Sequence, residues 1–293
     1  MNDSESSTKA RQTHDDFDFS DSDVTIQSSD GILFKLHRRN LEFGTGAFPP
    51  AEVFQTEGEI TQLTEKADIL AVMFQFVYPR RHPDLEDLVF ELVIQVAEAV
   101  EKYEVFAAMN TCRLRLRHFI TKHAAEVMGH FVRHNYSSMV DECVPHIARS
   151  PLIDVLELLP PECVLPWLLY QDAWKSVFKL ARKYIKAKPM DGEGLCHHPM
   201  TICNRCRLIL NVYVNELEET SSLPALHAAL DGLTPVYPGD CLCKTCATRG
   251  CKYLPRIMEL CRKGVQSIPP FSEFLKSGYQ YRIPEMRAND YIN

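Results

Sequence analysis

Two pairs of cysteines have the spacing with the clearest chemical potential in this sequence. Two residues separate Cys203 from Cys206, and two separate Cys243 from Cys246. Each pair can present two thiolates to one tetrahedral Zn²⁺ ion, and zinc held in this way would stabilise a region with a thin apolar core. The separation between the pairs is longer than in a common zinc ribbon, and a predicted helix over 205–217 lies between them. Two interpretations stay open: a structural zinc site, or reduced and partly buried thiols.

Other cysteines follow the apolar faces of predicted helices rather than a ligand spacing. A free cysteine in such a position behaves as a small apolar side chain. We therefore expect core positions for Cys112, Cys143, Cys163 and Cys261.

Histidines offer a second kind of chemistry. His130 and His134 are four residues apart in "HFVRH", a spacing that places both imidazoles on one helix face within reach of one metal ion. The motif contains no acidic partner, so two ordinary polar residues of a helix are the favoured interpretation.

His37 follows the strand-like "FKL" and precedes a Gly-Thr-Gly turn at 44–46. This turn lacks the third glycine of a dinucleotide-binding loop, which argues against a cofactor loop beside His37 and favours a structural role for this residue.

Enzyme signatures are missing from the sequence. We find no nucleophile elbow, phosphate loop, metalloprotease helix or kinase pattern. The sequence therefore predicts a protein without catalytic residues.

Composition and charge limit the partners and the location. The 293 residues have a mean hydropathy of −0.19 and contain no apolar run of membrane-spanning length. Residues 1–23 carry a net charge of −5 and the other 270 residues carry −2, so a nucleic-acid-binding surface is not expected. No secretory signal is recognisable, and the odd number of cysteines, eleven, favours reduced thiols in the cytoplasm or nucleus.

Hydrophobic periodicity predicts a small group of strands followed by helices. "DVTIQ" and "ILFKLH" alternate apolar and polar residues around the turn "SSDG", which predicts a β-hairpin. A short helix near Arg39 and a brief strand within 57–63 follow. The later helices include one over 89–103 with a 3.6-residue apolar period, one over 151–159 that Pro160 and Pro161 should end, and one over 166–187.

The order of these elements resembles that of a BTB/POZ domain. The resemblance rests on several separated elements in the expected order: Asp23-Val24, Phe34-Lys35-Leu36-His37, Leu41 through Gly46 to Phe48, Phe74 to Tyr78, and Ala99 to Tyr103. It covers residues 23–120, and the helical segment 121–188 is similar to the extensions of fungal BTB proteins. The expected fold is α+β, with a small sheet covered by helices and an all-α extension. The expected division is an acidic, disordered tail (1–22), the BTB/POZ domain (23–120), the helical extension (121–188) and a Cys-rich helical region (195–293).

The resemblance also implies a function. BTB domains act by protein–protein interaction, so we expect a dimerising adaptor or scaffold, with a homodimer face around Val24, Ile26, Leu41 and Phe43. Many such proteins recruit substrates to cullin-type ubiquitin ligases. The cullin-binding members often carry an apolar-x-Glu motif, whereas Phe54-Gln55-Thr56 has Thr in the acidic position. The alternative is a zinc-containing transcriptional regulator assembled through the same domain.

Overall fold

The computed structural model describes residues 12–48, 60–148, 150–189, 201–220, 223–231, 251 and 253–276. The chain divides into two compact units, residues 1–122 and 123–293. The first has a small four-stranded sheet with helices and the second is helical, so the α+β class predicted from the sequence is confirmed. None of the described helices combines the length and the apolar composition needed to cross a bilayer.

The sheet of the first unit has the strand order β1-β3-β2-β4. The predicted hairpin is confirmed: β2 (Val24–Gln27) pairs antiparallel with β3 (Leu33–Leu36), with Val24 opposite Leu36. Gly31 in its turn has a φ of +92°, a backbone conformation that side chains with a Cβ rarely adopt. The third predicted strand forms β4 (Ile60–Gln62), which pairs parallel with β2.

The acidic N-terminal segment is not wholly disordered, which corrects the predicted tail of residues 1–22. Thr13–Asp18 forms β1, which pairs parallel with β3. Phe17 is fully buried, with its ring centroid 5.6 Å from that of Phe34 and 5.9 Å from that of Phe74. Composition predicted disorder because it averages over the acidic residues, whereas one aromatic anchor and a free sheet edge are enough to order this strand.

The described part of the first unit also contains the helices α1 (Arg38–Gly44), α2 (Ala67–Gln75), α3 (Phe90–Lys102) and α4 (Phe106–Arg117). α3 packs between α2 and α4. Its predicted apolar stripe is buried at Val93, Val96 and Val100, each with no exposed surface. Val89, expected in the same stripe, precedes the first turn as the N-cap residue and is 62% exposed.

The second unit is built around one long helix. Its elements are α6 (Ser137–Ile147), α7 (Leu152–Leu156), α8 (Pro161–Ala187), α9 (Asn204–Glu218), α10 (Leu223–Asp231), α11 (Leu254–Gln266) and α12 (Phe271–Phe274). The division between the units falls within α5 (Ile120–Arg133), which departs from helical geometry at His123. Pro161 begins α8, so the Pro160-Pro161 pair precedes a helix as well as following one.

Helices of the predicted helical extension and of the predicted Cys-rich region share one core. α8 packs on α9, α11 and α12. The rings of Trp167 and Phe271 meet edge to face with centroids 5.1 Å apart, and Gly264 lies against Val177. The segments 121–188 and 195–293, expected as separate regions, therefore contribute to the same compact unit.

Candidate functional site

A groove in the first unit is a concave feature formed by described residues. Its volume is ≈ 500 Å³. Its walls come from α1, from the segment 76–79 that follows α2, from His82, and from the first two residues of α4. It lies entirely within residues 39–107, so the first unit alone builds it.

Two aromatic side chains stand at the surface of this groove. Phe43 is 91% exposed and Phe106 is 58% exposed. The helical period explains why Phe43 is exposed. Leu41 is buried at 3% exposure, and Phe43, two positions later, points about 200° around the helix and therefore away from the core. Exposed rings of this size cost solvation free energy, and an apolar surface beside a groove marks an interaction site more often than a catalytic one.

Backbone contacts hold the two aromatic walls of the groove together. The Gly46 N–H donates to the Glu104 carbonyl at 3.0 Å, and Thr45 forms an isolated bridge with Val105. A Cβ atom on Gly46 would overlap the Glu104 carboxylate and lie 2.9 Å from Cζ of Phe106. The Gly-Thr-Gly turn thus serves close packing of α1 against the start of α4.

Arginine side chains lie at and next to the groove, and the Glu104 carboxylate lies beside Gly46. Arg39 is one of the lining residues, and none of the described lining residues has a carboxylate. Arg80 lies next to the groove, with its guanidinium carbon 5.7 Å from the centroid of the Tyr78 ring and 5.4 Å from that of Phe17. An apolar groove with this rim suits a segment that carries apolar anchors and carboxylates.

His37 is held beside the groove by contacts with side chains. Its own N–H donates to the Tyr78 hydroxyl at 3.2 Å, Nδ1 lies 3.2 Å from the same oxygen, and Nε2 lies 3.2 Å from Oδ1 of Asp21. The hydrogen bond with His37 lowers the pKa of Asp21, and burial raises the pKa of Tyr78. These contacts agree with the expected structural role of His37: the imidazole contacts side chains, and the His37 carbonyl accepts backbone hydrogen bonds from the Asn40 and Leu41 N–H groups.

The four residues expected at a dimer face occupy different environments. Val24, Ile26 and Leu41 are buried inside the first unit, at 6%, 0% and 3% exposure. They line its core because alternate residues of β2 and the inner side of α1 face the helices. Phe43 is the one of the four that presents its side chain at the surface.

The cysteines expected to bind zinc are described only in part. Cys203 caps the N-terminus of α9, and the Cys206 N–H points to its sulfur at 3.5 Å. Both side chains are buried, and within the described part of the chain no third Cys, His or carboxylate joins them at ligand distance. Cys243 and Cys246 lie outside the described residues.

The cysteines expected in the core are buried there. Cys112, Cys143, Cys163 and Cys261 are at most 2% exposed, which confirms the prediction. Burial raises the pKa of Cys112, Cys143 and Cys261 to about 12 and that of Cys163 to about 11, so these thiols are protonated and poorly nucleophilic at neutral pH.

His130 and His134 were expected to be ordinary polar residues, and their environments differ from that expectation. His130 is 1% exposed, and its ring centroid lies 4.6 Å from that of His134. A buried imidazole close to a second one was not foreseeable from periodicity alone. The available signal was their spacing of four residues.

Comparison with protein-family models, with curated proteins and with solved structures found no match for this chain.

Proposed function

We propose that this chain is a protein–protein interaction module whose first unit binds an apolar, acidic segment of a partner protein in the groove between Phe43 and Phe106. The observation that carries the proposal is the 91% exposure of Phe43 beside a groove of ≈ 500 Å³. Aromatic anchors in a concave surface contribute most of the binding free energy in many interfaces.

Charge favours a partner segment over a second copy of the chain. In a twofold-symmetric contact centred on the groove, the rim of one copy would face the identical rim of the other. The Arg39 side chains of the two copies would then be brought to the same interface, and like charges at an interface weaken it. Carboxylates of a partner would instead be attracted to the same rim.

The proposal extends to the BTB/POZ class and to an adaptor or scaffold role without catalysis. The hairpin of β2 and β3, the short α1, the parallel strand β4 and the long α3 follow one another in the order that the resemblance requires. We propose a homodimer in the cytoplasm or nucleus and, as the specific role, recruitment of substrates to a cullin-type ubiquitin ligase. Phe54, Gln55 and Thr56, which bear on the cullin contact, lie outside the described residues.

A peptide selection tests the groove while the partner is still unidentified. The full chain is immobilised, and a displayed library of random 16-residue peptides is selected against it. We expect selected peptides to carry two or more apolar anchors flanked by Asp or Glu, and to bind the wild type at least about tenfold more tightly than Phe43→Glu. Leu114→Glu is the matched control, because Leu114 is 46% exposed on α4 and does not line the groove.

Two results would contradict the proposed groove. Selected peptides that bind Phe43→Glu as well as the wild type would place recognition elsewhere, and a selection dominated by basic peptides would contradict the charge argument. Light scattering tests the alternative that a second copy of the chain occupies the groove. If no peptide binds and Phe43→Glu converts a dimer to a monomer, the groove serves self-association.

The runner-up function is a zinc-containing transcriptional regulator. The observation in its favour is the contact of the Cys206 N–H with the Cys203 sulfur, since such hydrogen bonds stabilise a metal-bound thiolate. Metal analysis of the purified chain, followed by a DNA-binding selection with wild type and Cys203→Ser, tests it. Stoichiometric zinc together with DNA binding that the substitution abolishes would favour this function over the adaptor.

A further inference from the structure

We infer that His130 and His134, in the second unit, form a binding site for one divalent transition-metal ion. The helical turn continues from α5 through both residues, because the His134 N–H donates to the His130 carbonyl at 3.1 Å. Their ring nitrogens lie within 4.8 Å of one another, and the ring planes make an angle of 51°. This site is independent of the Cys203 and Cys206 pair and of the groove.

The separation of the rings suits a shared ion. A metal about 2.0–2.1 Å from each of two imidazole nitrogens in tetrahedral geometry requires the nitrogens to be roughly 3.4 Å apart. His134 is half-buried, so rotation about its side-chain bonds can bring its nitrogen to that distance. His130 needs no such movement, since it is already held inside the unit.

Burial makes His130 a preorganised ligand. The side chain is 1% exposed, its ring meets that of Phe131 edge to face at 5.9 Å, and the Tyr136 ring lies 6.4 Å away. A side chain already fixed in a single environment loses little conformational entropy when it binds a ligand. The apolar rings also limit the water that competes for the metal.

The charges along α5 permit a cation at this face. Arg133 lies about 100° around the helix from His134 and about 60° from His130, and its Nη1 atom is 3.4 Å from the Cβ position of Gly129. Glu126 lies one turn before His130 on the same face, where its carboxylate is 3.4 Å from Nδ1 of His123. The Glu126 carboxylate therefore lies on the side of the imidazoles, while the Arg133 guanidinium reaches toward Gly129.

The donor atoms select the class of metal. Imidazole nitrogens suit Zn²⁺, Co²⁺, Ni²⁺ and Cu²⁺, whereas Ca²⁺ and Mg²⁺ prefer oxygen ligands. Two imidazoles leave the remaining coordination positions to other donors or solvent, so we expect an exchangeable ion instead of a closed structural site.

Cobalt titration of the full chain tests the inference with a readout that separates nitrogen from sulfur ligation. The protein is freed of metal with a chelator and then titrated with CoCl₂ alone. We expect one binding event whose absorption lacks the intense near-ultraviolet thiolate-to-cobalt charge-transfer band of a cysteine site. Imidazole ¹⁵N resonances of two histidines should move on addition of ZnCl₂ to a second sample.

Histidine variants decide between this site and others. His134→Gln should weaken this event by roughly tenfold or more, because even residues that only support a ligand change metal affinity by about 10–100-fold. His146→Gln is the matched control, since His146 is an exposed histidine on α6 of the same unit. Because His130→Gln alters a buried position, the conclusion rests on His134→Gln, with circular dichroism confirming that the variant is folded.

Two outcomes would overturn the inference. One is equal Co²⁺ affinity in the wild type and His134→Gln. The other is a spectrum with only thiolate ligation and no shift of histidine resonances, which would assign all metal binding to cysteines.

Discussion

The Tyr78 hydroxyl oxygen lies 3.2 Å from the backbone nitrogen of His37 and 3.2 Å from its Nδ1 atom. One phenol thus holds both the start of α1 and the imidazole that precedes it. His37 is the N-cap residue of α1 but makes no side-chain capping bond of its own, so Tyr78 supplies the polar contact at this helix end.

Removal of the Tyr78 hydroxyl should destabilise the first unit. Tyr78→Phe keeps the ring but leaves the His37 N–H without this acceptor, and we expect the free energy of unfolding to fall by about 1 kcal/mol. Urea denaturation followed by near-ultraviolet circular dichroism measures the change.

Tyr213→Phe in the second unit is the matched control for Tyr78→Phe. The Tyr213 hydroxyl is buried without a hydrogen-bond partner in the described part of the chain, and burial raises its pKa to about 12. Its removal should be neutral or stabilising, because an unsatisfied polar group is eliminated. A loss of stability in Tyr213→Phe as large as that in Tyr78→Phe would show that the hydrogen bond is not the cause.

The local sequence pattern predicted the secondary structure more accurately than it predicted which residues face the core and which face the surface. Alternation in "DVTIQ" and "ILFKLH" was sufficient for the hairpin, since a strand with one buried face must alternate. The same pattern does not show whether Val24 and Ile26 face a partner or the core of their own unit. That distinction depends on which helices cover the sheet, which is tertiary information.

The candidate site depended on similar long-range information. Phe43 was singled out from the sequence for a dimer face, but its groove also requires Phe106, more than sixty residues later. The link between them is the contact of the 44–46 turn with Glu104, which no local signal indicates. Burial of His130 likewise results from packing around α5 and not from the composition of "HFVRH".

Glu65 should make the first unit acid-sensitive. Desolvation acts to raise the pKa of this carboxyl, but hydrogen bonds from Lys102 at 2.8 Å and the Tyr103 hydroxyl at 2.7 Å outweigh it and lower the pKa below the ordinary 4.5. A lowered folded-state pKa gives stability that is present above the unfolded value and is lost as the pH falls through the folded value. We therefore expect the contribution of Glu65 to be complete above about pH 5 and to decline below about pH 4.5.

The pH dependence is measured as the difference between wild type and Glu65→Gln. Between about pH 5 and pH 3 the wild type should lose more of its free energy of unfolding than the variant, because the variant carries no titrating group at this position. Glu91→Gln, at an exposed position on α3, should titrate like the wild type. Parallel stability curves for wild type and Glu65→Gln would contradict the prediction.

Gly264 allows α11 to approach α8 closely. A Cβ atom on Gly264 would lie 2.7 Å from Cγ1 and 3.1 Å from Cγ2 of Val177, and the branched Val177 side chain has little rotamer freedom within a helix. Gly264→Ala should therefore destabilise the second unit by about 1–3 kcal/mol, despite the better helix propensity of alanine. Thermal or urea unfolding measures the loss.

A second substitution identifies the cause of that loss. In Gly264→Ala/Val177→Ala the smaller side chain makes room for the new methyl group, so the double variant should lose less stability than the sum of the two single variants. Strict additivity would show that the contact with Val177 is not what excludes a Cβ atom at position 264.

The core cysteines should resist alkylation until the chain unfolds. Cys112, Cys143 and Cys261 have pKa values raised by burial to about 12, so at about pH 8 almost none of each thiol is the reactive thiolate. Iodoacetamide treatment followed by peptide mass spectrometry should find these residues unmodified in native protein and fully modified in urea.

Phe178→Ala, which opens the core of the second unit, should speed modification of the cysteines there and leave Cys112 of the first unit unchanged. Rapid native labelling of Cys143 or Cys261 at this pH would show that the second unit opens far more readily than its packed core implies.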